Sequence, residues 1–489
     1  VWAVSATLAG LAGILVAPTN GLTTTGMTAL MAAAFAAVVA ARFRSLPVAV
    51  GVSLAMGVVT DVILNLLPVG SSLTAAIIPS IPFGFILLFL IFYIVRSGAV
   101  DEDVGTGGPL DHAVRPANEA LANVGKAVAS GRGRGVALGA VPLVVVALLP
   151  LVFQGSAYWL GLVALGLCYS ITFLTFTIVT GEGGMLWLSQ IIFAGAGALA
   201  AAQFVSVWHV PVLLAIVLGG LIAAVVGAII GLLTIRLGDL YVALVTLTFG
   251  LLAETLIFTR NRFLQGGIGV VFNRPGFADG DMAFAYLALA VFMVFAILIL
   301  NLRRSTSGLA LRAVRDSKSA SRTSGLSVLQ VKVIVGAIAA FVAAVGGGFI
   351  AMYGRIAQPG SFATFLGLVW LAVVVTMGVR SIAAAALSGL AFTLLPGVFQ
   401  TYVPSRWGEV PALLFGLGAV LVARNPEGVV LHNGRQLRHL LERVGSQTTP
   451  PEVRGSAAGG DLLAGDSDGG VAQTSAAPGG SGTSAGAPR

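Results

Sequence analysis

Runs of about 20 uninterrupted apolar residues follow one another through most of this chain, and they leave it little choice of fold. Hydrocarbon offers no partners for backbone N–H and C=O groups, so a chain crossing it must pair them internally, as helices or as a closed barrel. Barrel strands would alternate apolar and polar residues over about 10 positions. The runs here do not alternate, and the expected fold is an all-α polytopic transmembrane bundle. Composition agrees, with 57% of the 489 residues hydrophobic and 9% charged. Spans are expected at roughly 1–18, 27–41, 47–68, 76–95, 136–153, 156–180, 185–207, 211–235, 241–259, 282–302, 328–353, 362–379, 381–401 and 409–423, about fourteen in all.

The charges say how the bundle is oriented. A net charge of +8 raises the question of nucleic acid, but the basic residues border apolar segments instead of forming an aromatic-interleaved surface, which excludes it. The stretch Arg303–Ser327 is the densest in charge, and each charge at a bilayer centre costs about 2.5–3.5 kcal/mol. It therefore projects into the cytoplasm. Counting spans from it puts sixteen Lys and Arg on that side and five (Arg260, Arg262, Arg274, Arg355, Arg406) on the other. This is the asymmetry of the positive-inside rule, and it makes the C-terminus cytoplasmic.

Four regions are expected: a first membrane block at 1–95, a cytoplasmic linker at 96–135, a second block at 136–430, and a cytoplasmic tail at 431–489. The tail turns Gly-, Ser-, Ala- and Pro-rich and should be disordered after about 445. The blocks are related. Ala6–Gly13 (ATLAGLAG) returns as Ala340–Gly347 (AFVAAVGG), and the corner at Arg44-Ser45 returns at Arg380-Ser381, at an offset of about 334–336. Two related membrane domains are thus expected in one chain, the first represented by its final part, since Val1 opens inside an apolar run.

Several stretches stand out chemically. Gly181–Ala198 (GEGGMLWLSQIIFAGAGA) is dense in glycine, so its helices either approach neighbours closely or leave backbone facing a cavity. The candidates there are Gly181, Gly184, Gln190, Phe193, Gly195 and Gly197, for a substrate path or for a helix seam. Thr246 stands in Arg236–Gly250, where Arg236 and Asp239 are expected to pair at the membrane surface. Asp61 and Glu254 are intramembrane acids and hence candidates for the path or the seam. Between Arg312 and Gly325, small residues amid basic ones fit a short helix seated in a partner's groove, with Gly325 free to take the positive φ that ends it. An ordinary basic loop is the plainer alternative. Trp187 would fill space that a path needs. Cys168, the single cysteine, reads as core packing.

No G-x-x-x-x-G-K-[ST] phosphate loop occurs, and the four histidines are scattered, so neither an enzyme, a metal site nor a bound cofactor is expected. These stretches resemble those of the permease subunits of branched-chain amino acid ABC transporters. The second block resembles the larger subunit over its length, and the first resembles the C-terminal part of the smaller one.

The resemblance implies a multi-pass bacterial plasma-membrane protein that works with two ATPase subunits, an extracytoplasmic substrate-binding protein and membrane lipid, with a second permease chain as a further partner. It identifies Arg312, Ala313, Arg315, Asp316, Ala320 and Gly325 as the coupling loop, with the basic flanks Arg312, Arg315 and Arg322 able to meet an acidic rim. Other readings of the same residues are a permease for urea or short amides, an ion-coupled secondary transporter using Asp61 and Glu254, and a truncated, inactive permease.

Overall fold

The computed structural model describes residues 2–21, 45–66, 143–234, 239–408 and 410–422, with isolated positions between 30 and 41 and between 77 and 92. The linker, the tail, Arg44, Arg236 and the Asp239 side chain lie outside the described residues. The first block supplies α1 (Trp2–Asn20) and α2 (Leu46–Leu66). The second begins with α3 (Leu143–Val152) and α4 (Ala157–Phe176), which runs on as a π-turn over Thr177–Glu182. Then come α5 (Gln190–Trp208), α6 (Val212–Leu233) and α7 (Asp239–Ala253), the last also ending in a π-turn, Glu254–Phe258.

After an extended stretch, α8 (Asp281–Arg304) leads to two short helices, α9 (Thr306–Asp316) and α10 (Lys318–Thr323). The remaining helices are α11 (Val328–Gly354), α12 (Leu366–Met377), α13 (Ile382–Tyr402) and α14 (Val410–Val422). Among the described residues, seven helices are long and apolar enough to cross a membrane. The chain is an all-α polytopic membrane protein, with one two-residue pair of strands, Val270–Val271 against Ile356–Ala357.

At the centre stands α11, and three consecutive glycines put it there. Successive residues of a helix point about 100° apart, so Gly346, Gly347 and Gly348 open three different sides of the same turn. Thr172 of α4 fills the first, Ala194 of α5 the second and Ile216 of α6 the third. Lipid is as apolar as any core, so helices gain little from merely hiding leucines from it. Close shape fit and interhelical hydrogen bonds are what hold them together. Hydrogen bonds add to the fit between α4 and α13, where Ser170 Oγ donates to Ala386 O (2.9 Å) and Thr393 Oγ1 to Leu162 O (2.9 Å).

The short helices begin where the sequence supplies a cap. Ser305, Ser317 and Ser327 accept from the N–H groups of Gly308, Ala320 and Gln330 at the starts of α9, α10 and α11. A second, smaller core joins the blocks. Ala36, Ala37, Ala40, Val52, Met56 and Ile86 pack with Leu244, Leu247 and Leu251 of α7, and Ser80 shares a hydrogen bond with Thr255 (2.9 Å).

At the end opposite α9, Arg274 pairs with Asp281 at 2.7 Å and lies over the Phe284 ring.

Candidate functional site

Two groups of the expected residues come together, about the two ends of the segment 181–190. At its start the π-turn delivers Glu182, which is 7% exposed, to a set of arginines. Its Oε1 meets Arg303 Nε at 2.7 Å and its Oε2 faces Arg312 Nε at 3.9 Å. A buried carboxylate held in this way is costly to strip of its partners, because the charge then has neither water nor a counter-ion. The arginines are tied in turn. Arg312 donates to the carbonyl of Arg303 (3.0 Å), Arg303 to that of Arg380 (2.7 Å), and Arg315 to that of Gly181 (2.8 Å).

Both expected glycines at this end are explained by close approach. A Cβ on Gly181 would stand 2.7 Å from Val379 O. Gly184, at φ +63°, packs its Cα against the Arg315 stem, so it meets two demands that a side chain would violate. Of the three arginines expected to meet an acidic rim, Arg312 and Arg322 are exposed, Arg312 while also bonded to its own chain, and Arg315 is half-buried with its guanidinium on the Gly181 carbonyl. Arg312, Asp316, Ala320, Arg322 and Gly325 are all exposed on the helix pair, while Ala313 and Arg315 are half-buried. Asp316 holds Arg315 at 3.2 Å, and Gly325 takes φ +79° at the close of α10.

At the other end, the loop after the π-turn is tied to α7, where Leu188 N donates to Thr246 Oγ1 (3.0 Å). Close by, Glu254 Oε2 accepts from Thr364 N (2.7 Å). Gly250 lets Thr364 and Ile192 come within contact of α7, and Gly367 rests against Ile191. Gln190, Thr246 and Glu254 are thereby brought to one seam between α5, α7 and the start of α12.

The seam is buried and polar at once. Ser189 Oγ, both polar atoms of Gln190, Trp187 Nε1 and Thr364 Oγ1 are buried without a hydrogen-bond partner among the described residues. Buried groups of this kind carry a desolvation penalty of about 1–3 kcal/mol each. Phe193 lies between Trp187 and Phe249, with ring centroids 6.1 and 5.8 Å away. Trp187 fills the space as its size leads one to expect, and it is fully buried. Gly195 meets Phe258 and Phe362, while Gly197 meets Ala344. These two are packing positions. Asp61 stands apart on α2, exposed, and the structure does not bury it with the others.

Sequence reasoning missed Glu182. It is the sole acid between residues 143 and 234, and that isolation within an apolar stretch was the available signal.

A helical bundle with a capped, tethered helix pair between two of its spans defines a multi-pass membrane protein. Residues 158–423 match the family described as branched-chain amino acid transport system / permease component. That is more than half of the chain, which belongs to this family. Its curated relatives include the high-affinity branched-chain amino acid transport system permease protein LivM of Escherichia coli (strain K12), 26% identical over 58% of this chain and 73% of that protein. LivM of Salmonella typhimurium is 25% identical over 55% of this chain and 69% of its own length. No solved structure matches the chain. The family match takes in both ends of the 181–190 segment and stops short of α1 and α2.

Proposed function

We propose that this chain is the membrane component of a binding-protein-dependent ABC importer for branched-chain amino acids. In this reading separate ATPase subunits drive it by pressing on α9 and α10, and a binding protein delivers the ligand from outside. The observation that carries the proposal is the helix pair itself. It is capped by Ser305 and Ser317, presents small and basic residues, ends at Gly325 with φ +79°, and stands between α8 and α11.

The coupling residues are Arg312, Ala313, Arg315, Asp316, Ala320 and Gly325. The seam of Gln190, Thr246 and Glu254 is the reading we favour for the path, with its polar groups waiting for ligand or water in another state of the bundle. Glu254 is committed to Thr364 N, which supports a seam-holding role for it over an ion-carrying one. The two blocks are related domains of one permease.

The test is uptake of labelled leucine, urea and a short amide into vesicles holding the complete complex. ATP-dependent leucine uptake supports the proposal, urea or amide uptake changes the cargo, and uptake that survives removal of the ATPases but collapses with the proton gradient overturns it. Gly325→Val forces a β-branched residue to a left-handed backbone at a cost of about 1–2 kcal/mol. It should lower uptake about tenfold with insertion unchanged; undiminished uptake would sink the coupling assignment.

A further inference from the structure

The Glu182 cluster ties together several elements that also pack against one another. Arg303 is the last turn of α8, Arg312 and Arg315 belong to α9, and the Arg380 carbonyl belongs to the corner before α13. All converge on a single π-turn, Thr177–Glu182. A π-turn carries one residue more than its α-helical neighbours and is a place where a helix shifts register or bends. Six residues beyond Glu182, Leu188 N is fastened to Thr246, and Gln190 opens α5 with its amide unpartnered.

α9 and the end of α8 are bonded to the π-turn through the Arg312 and Arg303 contacts to Glu182 and the Arg315 bond to Gly181 O. The Arg315 stem also lies directly against Gly184, in the loop that follows the turn. We propose that Glu182 is the positioning residue that passes motion of the α9–α10 pair to the 183–189 loop and so to the seam at Gln190 and Thr246. The inference rests on the transporter reading above and adds to it a specific mechanical link.

The experiment measures uptake and ATP turnover in the same vesicles, with the complete complex. Glu182→Gln leaves two arginines facing a neutral amide and should cut the uptake obtained per ATP about tenfold, with ATP turnover held within about twofold. Because that variant risks misfolding, the double variant Glu182→Gln/Arg303→Gln, which strands neither member of the closest pair, is the decisive one. It should insert and show the same loss as the single variant, and Glu182→Asp should restore part of the ratio.

An unchanged uptake-to-ATP ratio in the double variant overturns the link, as does a fall of uptake and turnover in equal proportion. Failure of the double variant to insert overturns it too, since the pair would then serve the fold alone. If the unmodified complex shows no ATP-driven uptake, the transporter reading fails instead, and the two outcomes are distinct.

Discussion

Helices α2 and α13 each run 21 residues, and their first and last residues are 336 positions apart, Leu46 from Ile382 and Leu66 from Tyr402. Each begins behind a serine whose carbonyl accepts the first helical bond, from Ala49 N and from Ala385 N, both at 3.1 Å. Their surroundings differ. Half of the apolar window of α13 is buried, against 11% in α2.

On α13 the face carrying Ala386, Gly389, Thr393 and Gly397 meets Ser170, Gly166 and Leu162 of α4. The positions 336 earlier are Val50, Ser53, Gly57 and Asp61. Gly57 has no described atom near it, and the Ser53 hydroxyl turns back to its own helix at Ala49 O (2.9 Å). The same contrast separates Gly13 of α1, with no described atom near it, from Gly347 of α11, closed over by Ala194. A stripe of small residues is thus only permission for close packing. It becomes an interface where a neighbouring backbone stands at the matching height, since burial from lipid gives no general drive.

The widest gap between the two regions should appear when a branched side chain is placed on each glycine. Gly347→Val drives methyl groups into the Ala194 backbone, which no rotamer change relieves. The cost is expected at the upper end of overpacking, about 3 kcal/mol or more. Gly13→Val should change stability by no more than about 1 kcal/mol, through helix propensity alone. Thermal or denaturant unfolding in detergent reads both. Equal sensitivity at the two sites would mean that α1 is as tightly covered as α11, and the comparison would fail.

A smaller step tests the second helix of the pair. Gly389→Ala adds one methyl against Gly166 O and Ser170, whose atoms belong to a helix already bonded to α13. A loss of about 1–3 kcal/mol follows from overpacking. Its counterpart Ser53→Leu faces no described neighbour and should be silent within about 0.5 kcal/mol. Should Ser53→Leu prove the more damaging, the face of α2 is covered in the working molecule, and the contrast drawn here holds only for α13.

How far these differences can be read from the chain itself varies by feature. The long helices are legible because lipid enforces them. The expected 211–235, 328–353 and 381–401 correspond to Val212–Leu233, Val328–Gly354 and Ile382–Tyr402. Serine caps and the positive φ of Gly325 are likewise local, carried by residues within four positions of the feature they set. The π-turns were not legible. The expected 156–180 runs to Glu182, and the expected 241–259 changes register at Glu254, because an inserted residue leaves no mark on hydropathy.

The ties of Arg312 and Arg315 to their own chain were hidden for another reason. Their partners Glu182 and Gly181 lie more than 120 positions away, and charge pattern alone cannot tell a residue that greets a partner from one that ties down its own chain. Asp61 shows the reverse error. It looks buried by its place in an apolar run, yet it lies on the open face of α2. The two matching stretches share a sequence offset, but which of them is packed depends on α4 and α5, which lie outside those stretches.

The finest test concerns one hydroxyl. Thr393 Oγ1 donates to Leu162 O of α4 at 2.9 Å, and the alternatives on its own helix, Leu390 O and Gly389 O, are longer at 3.2 and 3.4 Å. Thr393→Val keeps the branch and removes the bond. Interhelical hydrogen bonds in membranes average about 0.6 kcal/mol and reach about 1.7 at most, so a loss in that range is expected, with α13 still inserted. Ser53→Ala on α2 removes only a bond within one helix, whose carbonyl keeps its backbone partner, and should cost nothing resolvable. If the two substitutions cost the same, the hydroxyl of Thr393 is merely satisfying itself, and the hold of α4 on α13 rests on the glycine contacts alone.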